Sequence, residues 1–450
     1  MLRLTGALLA GTAGVGAVTA SAGCQFRSGD RVDEAAARRK LIPAGALVVE
    51  LADGKLAVVD AATGRMLVQP APAVVSGDGR RLVRVERSDG GTRLTSHRLP
   101  DGAAVSAGTL TGALTVRATS ADGALVALAD DAGPGHTPYR PGPRERTTIV
   151  VADGAGQRRR LELPGNLEPE AFDVSRQALF VLDYLPPTAP DRYRVRVVDL
   201  ASGRVEPLLT RVKAVVPAGA EEEMRGEGRQ AVYDRARNRL FTLYTHQPDH
   251  VHTRDRIAAA NDAGAEQRDT GARDDAPHVH AFVHTLDLTE RWAFCVDLPA
   301  PFGEHAATGH TIALSRDGSR LHVADTGTGA LATIDPDGLT VVQSVRFDAL
   351  TGTTGSGGAA PAAATFDGVG TLLVGAGREV AGTAVTTAGD PLPRWSTPAE
   401  IRGLAGPPDG SLLYVGQPDA VLRVDPGTGA VRQRIDVPGL VALRQVVPAS

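Results

Sequence analysis

Cysteine, lysine and aromatic residues are scarce in this chain of 450 residues. Its two cysteines, Cys24 and Cys295, are too few for a disulfide framework. Lysine occurs only at positions 40, 55 and 213, which together with the abundance of Ala, Gly and Arg is typical of a GC-rich genome such as that of an actinobacterium. With nine Phe, six Tyr and two Trp, the core has to be built mainly from Val, Leu and Ala, a composition that suits short strands.

The chain also has no large excess of positive or negative charge. The 48 basic and 52 acidic residues are interspersed and leave a net charge of −4, which excludes the basic surface that nucleic acid requires. Beyond residue 24 no segment reaches 18 uninterrupted apolar residues, so we expect no later membrane span. The 52 Gly and 30 Pro disfavour long helices.

Residues 1–24 read as an export signal. Arg3 is followed by an uncharged, weakly apolar run that is too short and too rich in Gly to span a membrane stably, and small residues follow. The run ends in Ser21-Ala22-Gly23-Cys24, which resembles the lipobox of bacterial lipoproteins. This resemblance implies that residues 1–23 are a cleaved signal peptide, that Cys24 is lipidated, and that the following residues, up to position 40, are a polar tether.

The location implied by this reading is the extracytoplasmic face of the cell membrane, where acyl chains on Cys24 contact the membrane surface. The alternative is ordinary secretion, in which cleavage after Ala22 leaves Cys24 as a free thiol near the new terminus. Cys295 lies in an apolar, strand-like stretch, and we interpret it as a small buried hydrophobic residue.

Two short patterns recur through the rest of the chain. One is a Ser-x-Asp-Gly or Pro-Asp-Gly turn followed by an apolar strand, at 76–79, 120–123, 315–318 and 408–410, with weaker copies near 173, 234 and 367. The other is an apolar run that ends in Asp before a Gly-containing turn, at Asp60, Asp199, Asp335 and Asp425. The intervals between these Asp residues are 139, 136 and 90, close to three, three and two periods of about 45 residues, which is the period of a propeller blade.

These two patterns resemble the YVTN-type repeat of β-propellers that are similar to quinoprotein amine dehydrogenases. The resemblance extends over about residues 41–447. It implies an all-β fold, a β-propeller of seven to eight four-stranded antiparallel blades, which we expect to occupy residues 41–450. The count of plausible units is eight, whereas the resemblance favours seven. We expect residues 440–447 to supply the missing strand of the first blade and to close the ring.

Four insertions interrupt the repeat, near residues 130–146, 217–228, 246–277 and 349–364. Function on a propeller usually lies in such loops. The second insertion contains the run Glu221-Glu222-Glu223, which we interpret as solvated. The fourth is mostly Gly, Ala and Thr and reads as a flexible loop.

The third insertion and its flank are rich in histidine: His246, His250, His252, His278, His280 and His284. Each of the two His-Val-His triplets can direct two imidazoles to one side of a strand, so the pairs are a candidate site for Zn²⁺ or Cu²⁺, with a carboxylate or water completing it. His305 and His310 of the next unit are candidates to lie nearby. No Cys is expected to join them. The alternative interpretation is that these histidines face solvent in a recognition loop.

The sequence contains no nucleophile elbow, phosphate loop or dinucleotide fingerprint, and we assign no catalytic residues. Our leading functional interpretation is a lipid-anchored, extracytoplasmic propeller that binds or scaffolds a protein or small-molecule ligand. The alternative is a metal-binding protein or an enzyme that uses the histidine cluster at 246–284.

Overall fold

The computed structural model describes residues 44–131, 139, 141–226, 229–247, 250–262, 281–350, 361–383, 392–407 and 410–449. These residues form an eight-bladed β-propeller, and the blades are antiparallel sheets of four strands, one of which gains a fifth. The innermost strands of most neighbouring blades contact one another and therefore surround the axis. The all-β prediction is confirmed, and the number of blades is eight.

The strands of the first four blades follow the chain in order. Blade 1 contains β1 (Ala44–Glu50), β2 (Leu56–Asp60) and β3 (Met66–Ala71). Blade 2 contains β4 (Ala73–Val75), β5 (Arg81–Ser88), β6 (Gly91–Arg98) and β7 (Ala104–Thr111). Blade 3 contains β8 (Leu114–Thr119), β9 (Val126–Asp130), β10 (Arg146–Asp153) and β11 (Gly156–Pro164). Blade 4 contains β12 (Asn166–Phe172), β13 (Ala178–Leu185), β14 (Arg192–Asp199) and β15 (Val205–Pro207).

The second half of the ring has the same plan with one elaborated blade. Blade 5 contains β16 (Leu209–Thr210), β17 (Gln230–Asp234), β18 (Arg239–Tyr244), β19 (Phe282–Asp287) and β20 (Trp292–Asp297). Blade 6 contains β21 (His310–Leu314), β22 (Leu321–Asp325), β23 (Ala330–Asp335) and β24 (Thr340–Arg346). Blade 7 contains β25 (Ala363–Phe366), β26 (Leu372–Ala376), β27 (Glu379–Thr383) and β28 (Arg394–Ser396). Blade 8 contains β29 (Leu404–Ala405), β30 (Leu413–Gln417), β31 (Ala420–Val424) and β32 (Val431–Asp436).

The C-terminal strand closes the ring. Strand β33 (Ala442–Pro448) pairs with β1 in antiparallel fashion, so the last residues of the chain supply the innermost strand of blade 1. Leu47 lies opposite Val446, and both side chains are buried. The predicted closure by residues 440–447 is therefore confirmed.

The recurring turns link the first and second strands of their blades. Gly79, Gly123, Gly318 and Gly410 each adopt a positive φ between 61° and 70°, a conformation that glycine enters without the steric penalty of a Cβ atom. In the turn of blade 6, Asp317 Oδ1 accepts hydrogen bonds from Ser315 Oγ at 2.7 Å and from the Ser319 amide at 3.0 Å. The pattern therefore identifies a strand–turn–strand unit, as predicted.

The second pattern marks the third strand of a blade, but one of its intervals was misread. Asp199 ends β14 of blade 4 and Asp335 ends β23 of blade 6, so the 136 residues between them span two blades rather than three. The excess length lies in blade 5, whose third strand ends at Asp287 and follows the insertion at 246–277.

Hydrophobic packing between blades holds the ring together. Eight clusters of buried apolar side chains lie one at each interface between neighbouring blades. Val, Leu and Ala dominate them, as the composition predicts.

The α-helix among the described residues is α1 (Thr253–Asp262), and short 3-10 turns occur at Ala52–Gly54 and Ala307–Gly309. Within the described ranges no helix is both long and apolar enough to cross a bilayer.

Candidate metal centre

Four potential metal ligands from three separate segments meet at the outer part of blade 5. They are Glu222, His250, His252 and Cys295, and one donor atom from each lies within 4.8 Å of the donor atoms of the others. Glu222 belongs to the segment between β16 and β17, the two histidines precede α1, and Cys295 is on β20. No other group of three or more His, Cys, Asp or Glu side chains in the described parts of the chain meets this distance limit.

The strand β20 explains how a cysteine comes to face this site. Alternate residues of a strand point to the same side, so Cys295 and Asp297 share a face. In the antiparallel pair of β19 and β20, Cys295 lies opposite His284. The strand is covered on its outer edge, because Leu209 and Thr210 of β16 pair with Trp292 and Ala293. Cys295 itself packs in the hydrophobic cluster between blades 4 and 5 and is only 2% exposed.

Hydrogen bonds join the four groups directly. The Nε2 atom of His250 lies 3.0 Å from Nδ1 of His252, and Nδ1 of His252 lies 3.4 Å from a carboxylate oxygen of Glu222. The thiol of Cys295 donates to the other oxygen of Glu222 at 2.9 Å. The ring of Phe282 stacks on His250 with the centroids 4.2 Å apart and so forms an apolar wall.

The outward-facing ring nitrogens of both histidines are also fixed. Nδ1 of His250 lies 3.2 Å from the backbone carbonyl of Glu223, which can only accept, so this nitrogen carries a hydrogen and Nε2 keeps its lone pair. Nε2 of His252 lies 2.5 Å from Oδ1 of Asp297. Metal-binding histidines commonly bind a carboxylate or carbonyl with the nitrogen that does not face the ion. The lone pair of His250 Nε2 therefore accepts a hydrogen bond from Nδ1 of His252, and a metal ion in the cluster would displace the Nδ1 hydrogen of His252.

The electrostatics of the cluster match these contacts. Burial lowers the pKa of His250 to about 4, so its ring is neutral near pH 7. For His252, burial acts in the same direction, but the carboxylates of Asp297 and Glu222 outweigh it and raise the pKa to about 9. Burial alone would raise the pKa of Glu222, yet the hydrogen bond from His252 and the neighbouring imidazoles lower it to about 2.

The thiol of Cys295 is not poised for nucleophilic chemistry. Burial and the adjacent carboxylate of Glu222 raise its pKa well above the usual value. A reactive cysteine requires a lowered pKa and access to solvent. A bound cation would reverse this situation, because a metal ion displaces the proton of a coordinating thiol.

Two of the six predicted ligands are present in the cluster, and two lie elsewhere. His284 is 4% exposed and lines, together with Glu222, a small cavity of about 50 Å³. His246 bonds to Thr245 Oγ1 and faces the central cavity of the propeller. His278 and His280 lie outside the described residues.

Several interpretations from the sequence are wrong at this site. Glu222 is not a solvated acid but a partly buried member of the cluster, and Cys295 joins the histidines although none was expected to. His305 and His310 lie beside Asp325 in blade 6 instead, where Nε2 of His310 accepts the amide of Gly303. The sequence signal that could have placed Cys295 near the histidines is the hairpin turn at 288–291. This turn sets the strand register in which Cys295 lies opposite His284.

A large central cavity is the second concave feature. Its volume is about 1540 Å³, and the first strands of blades 1 to 5 contribute to its wall. Three of the four predicted insertions also reach it, through Asp131, Tyr139, Arg225 and His246. A buried ion pair between Arg117 and Glu168 lies at this wall, with 2.8 Å between Nε and Oε2.

Comparisons with known proteins find similarity to solved structures only at low sequence identity. No protein-family model and no curated protein sequence matches the chain. Among solved structures, the dihydro-heme d1 dehydrogenase NirN, determined in complex with DHE, is 13% identical, with 89% of this chain and 75% of that chain covered and a TM-score of 0.46. Apo AztD from Citrobacter koseri is 15% identical, with 90% and 98% covered and a TM-score of 0.38. The Dos1 propeller is 10% identical, with 87% and 88% covered and a TM-score of 0.45.

Proposed function

We propose that this protein is a lipid-anchored, extracytoplasmic β-propeller of the YVTN type that binds a divalent transition metal ion in blade 5. The ion is Zn²⁺ or a metal of similar preference, and its ligands are His250, His252, Cys295 and Glu222. This proposal unites the two functional interpretations of the sequence, since the protein acts as a binding protein and its ligand is a metal.

The convergence of four donor atoms within 4.8 Å carries the proposal. Two nitrogens, one sulfur and one carboxylate oxygen form a ligand set that Zn²⁺ accepts in tetrahedral geometry. A sulfur donor favours Zn²⁺ or copper over Mg²⁺ and Ca²⁺, which prefer oxygen. Four protein ligands fill a tetrahedral ion, and such closed sites retain a metal rather than leave a position open for a substrate.

Elemental analysis of the purified protein tests the metal site. We expect about one equivalent of bound zinc after equilibration with zinc and removal of loosely bound ions, and loss of this zinc in His250→Ala and Cys295→Ala. His246→Ala is the matched control, because His246 belongs to the same segment but lies apart from the cluster. Equal zinc content in wild type and Cys295→Ala would refute the proposed ligand set.

The lipid anchor rests on the sequence Ser21-Ala22-Gly23-Cys24 after an export signal. If Cys24 carries the lipid, Cys24→Ser should release the protein to the medium or leave the signal uncleaved, whereas Cys295→Ser should do neither. Membrane fractionation of the two variants measures this difference. Equal membrane association of wild type and Cys24→Ser would exclude the anchor.

The central cavity favours a second candidate function, the binding of a small molecule or a protein segment. Its volume of about 1540 Å³ exceeds that of most small-ligand pockets, and three predicted insertions reach its wall. Arg225 is both a wall residue and, through its backbone, a partner of Gln247 in the segment before His250. Saturation-transfer difference NMR with a mixture of small polar molecules would test this function, and blocking by Tyr139→Trp would place the ligand in the cavity.

A further inference from the structure

Helix α1 begins on the metal centre itself. The amide of Thr253, its first residue, donates to Oε1 of Glu222 at 3.0 Å. The carbonyl of His252 accepts the amides of Asp255 and Arg256 at 3.0 and 3.1 Å. The first turn of the helix therefore contacts two of the four ligand residues through backbone groups.

The side chain of Arg254, in this turn, donates hydrogen bonds to the strand that carries Cys295. Nη1 of Arg254 donates to the carbonyl oxygen of Cys295 at 3.0 Å, and Nη2 donates to Oδ2 of Asp297 at 2.5 Å. The guanidinium also lies over the ring of Phe294, 5.6 Å from its centroid. Arg254 thus fastens α1 to β20 by a forked contact that a lysine cannot reproduce.

The carboxylate of Asp297 connects Arg254 to the histidine. Its Oδ1 atom lies 2.5 Å from Nε2 of His252, while its Oδ2 atom accepts Arg254. The side chains of Arg254 and Asp297 are 43% and 35% exposed, whereas that of His252 is 5% exposed. The Arg254–Asp297 pair is consequently the boundary between the buried ligands and solvent.

We infer that Arg254 is a positioning residue of the metal centre, which holds Asp297 against His252 and thereby slows the release of the bound ion. The inference rests on the proposed metal-binding function. Partners outside the ligand shell fix the orientation of a ligating imidazole, and their loss typically weakens metal binding by about 10- to 100-fold. Arg254 acts one step further out, through Asp297, whose carboxylate it holds against His252.

Zinc release from the intact loaded protein tests the inference. Transfer of zinc to an excess of a chromophoric chelator, followed at several chelator concentrations, gives the dissociation rate. We expect Arg254→Met to release zinc about 10-fold faster than wild type. Arg256→Met is the control, since Arg256 lies in the same helix but its side chain donates to the carbonyl of Gly219 at 3.1 Å rather than to Cys295 or Asp297. Its release rate should stay within about twofold of the wild-type rate.

A double-mutant cycle separates positioning from general loosening of the helix. If Arg254 acts through Asp297, adding Arg254→Met to Asp297→Asn should accelerate release no further. Multiplicative effects, or an unchanged rate in Arg254→Met, would overturn the inference. Should Arg254→Met fold poorly, Arg254→Lys replaces it, because Lys keeps the charge but not the fork and should also release zinc faster. A wild type that binds no zinc refutes the proposed function, whereas zinc-loaded variants with equal release rates refute this inference alone.

Discussion

Blades 5 and 6 are neighbours with the same strand plan, yet they differ in how their outer strands are covered. The outer strand of blade 6, β24, is mostly exposed, whereas β20 of blade 5 has buried Trp292, Cys295 and Val296. In blade 5, β16 extends the sheet and Arg254 of α1 reaches onto β20. The two blades show that a buried polar site forms where inserted segments, here β16 and α1, cover the outer strand of a four-stranded blade.

Two buried histidines, one from each blade, His322 and His252, differ in their surroundings. In blade 6, His322 is 1% exposed and has a single partner, the hydroxyl of Thr333 at 3.1 Å. In blade 5, His252 faces His250, Glu222 and Asp297 together. A buried imidazole with a single partner serves packing, whereas one among several donor atoms is suited to the proposed role of a ligand. Mutations in blade 6 should therefore change the stability of the protein, whereas mutations of the proposed ligands in blade 5 should change metal binding.

The largest expected effect is on the core of blade 6. Leu321 is fully buried in the cluster between blades 5 and 6, so Leu321→Ala should cost about 2–5 kcal/mol of unfolding free energy. Denaturant unfolding measures this loss. The folded fraction should still bind one zinc, because Leu321 is not among the ligands. A variant of normal stability that lacks zinc would contradict the division of roles between the two blades.

The next effect is the stabilisation by metal in blade 5. At a zinc concentration one hundred times the dissociation constant, the gain should be about 2.7 kcal/mol in wild type and absent in His252→Ala. Thermal unfolding with and without zinc measures it, with His246→Ala as the control that keeps the gain. A full gain in His252→Ala would remove this residue from the ligand set.

The same gain has a predictable dependence on pH. A metal requires a deprotonated imidazole and a thiolate, so protons compete with it. The pKa of His252 is raised to about 9, and the pKa of Cys295 is raised well above the usual value of a thiol. Zinc affinity should therefore keep rising with pH above 7. A site of ordinary solvent-exposed histidines would level off above about pH 6.5. Zinc titrations at pH 5.5, 7 and 8.5 distinguish the two cases.

The fold was more predictable than the site for a physical reason. Each Ser-x-Asp-Gly turn satisfies its own hydrogen bonds within a few residues, as Asp317 does, so a local pattern is sufficient to reveal it. Closure by residues 440–447 was also predictable, because the first blade lacked a strand, and the structure places this strand at Ala442–Pro448. The candidate metal centre instead brings Glu222 and Cys295, 73 residues apart, to one oxygen–sulfur contact of 2.9 Å. Only the hairpin register of β19 and β20 was available to indicate it.

A smaller effect is expected from acid on blade 6. Burial and the charge of Arg320 lower the pKa of His322 to about 4, compared with about 6.5 in the unfolded chain. The ring is neutral in both states above pH 6.5, so its contribution is complete there. As the pH falls from 6.5 towards 4, the unfolded chain binds a proton that the folded chain excludes, and stability falls by up to about 1.4 kcal/mol per pH unit.

His322→Gln should remove this part of the acid dependence. Denaturant unfolding of wild type and variant between pH 7 and 5, with a chelator present, isolates the difference, because the remaining histidines contribute equally to both proteins. Parallel curves for the two proteins would mean that His322 is protonated equally in the folded and unfolded states.

The smallest effect concerns the turn that defines the repeat. Asp317→Ala removes the acceptor for Ser315 Oγ and the Ser319 amide in blade 6, and Asp78→Ala removes the acceptor for Ser76 Oγ and the Arg80 amide in blade 2. A hydrogen bond of this kind contributes about 0.5–1.5 kcal/mol, so each variant should lose about 1 kcal/mol in denaturant unfolding. Because the two turns share these two contacts and lie far along the chain from the proposed ligands, the two losses should be similar and zinc content should not change. A loss confined to one of the variants would show that the turns of blades 2 and 6 are not equivalent. Blade 6 could then not serve as the unmodified blade with which blade 5 is compared.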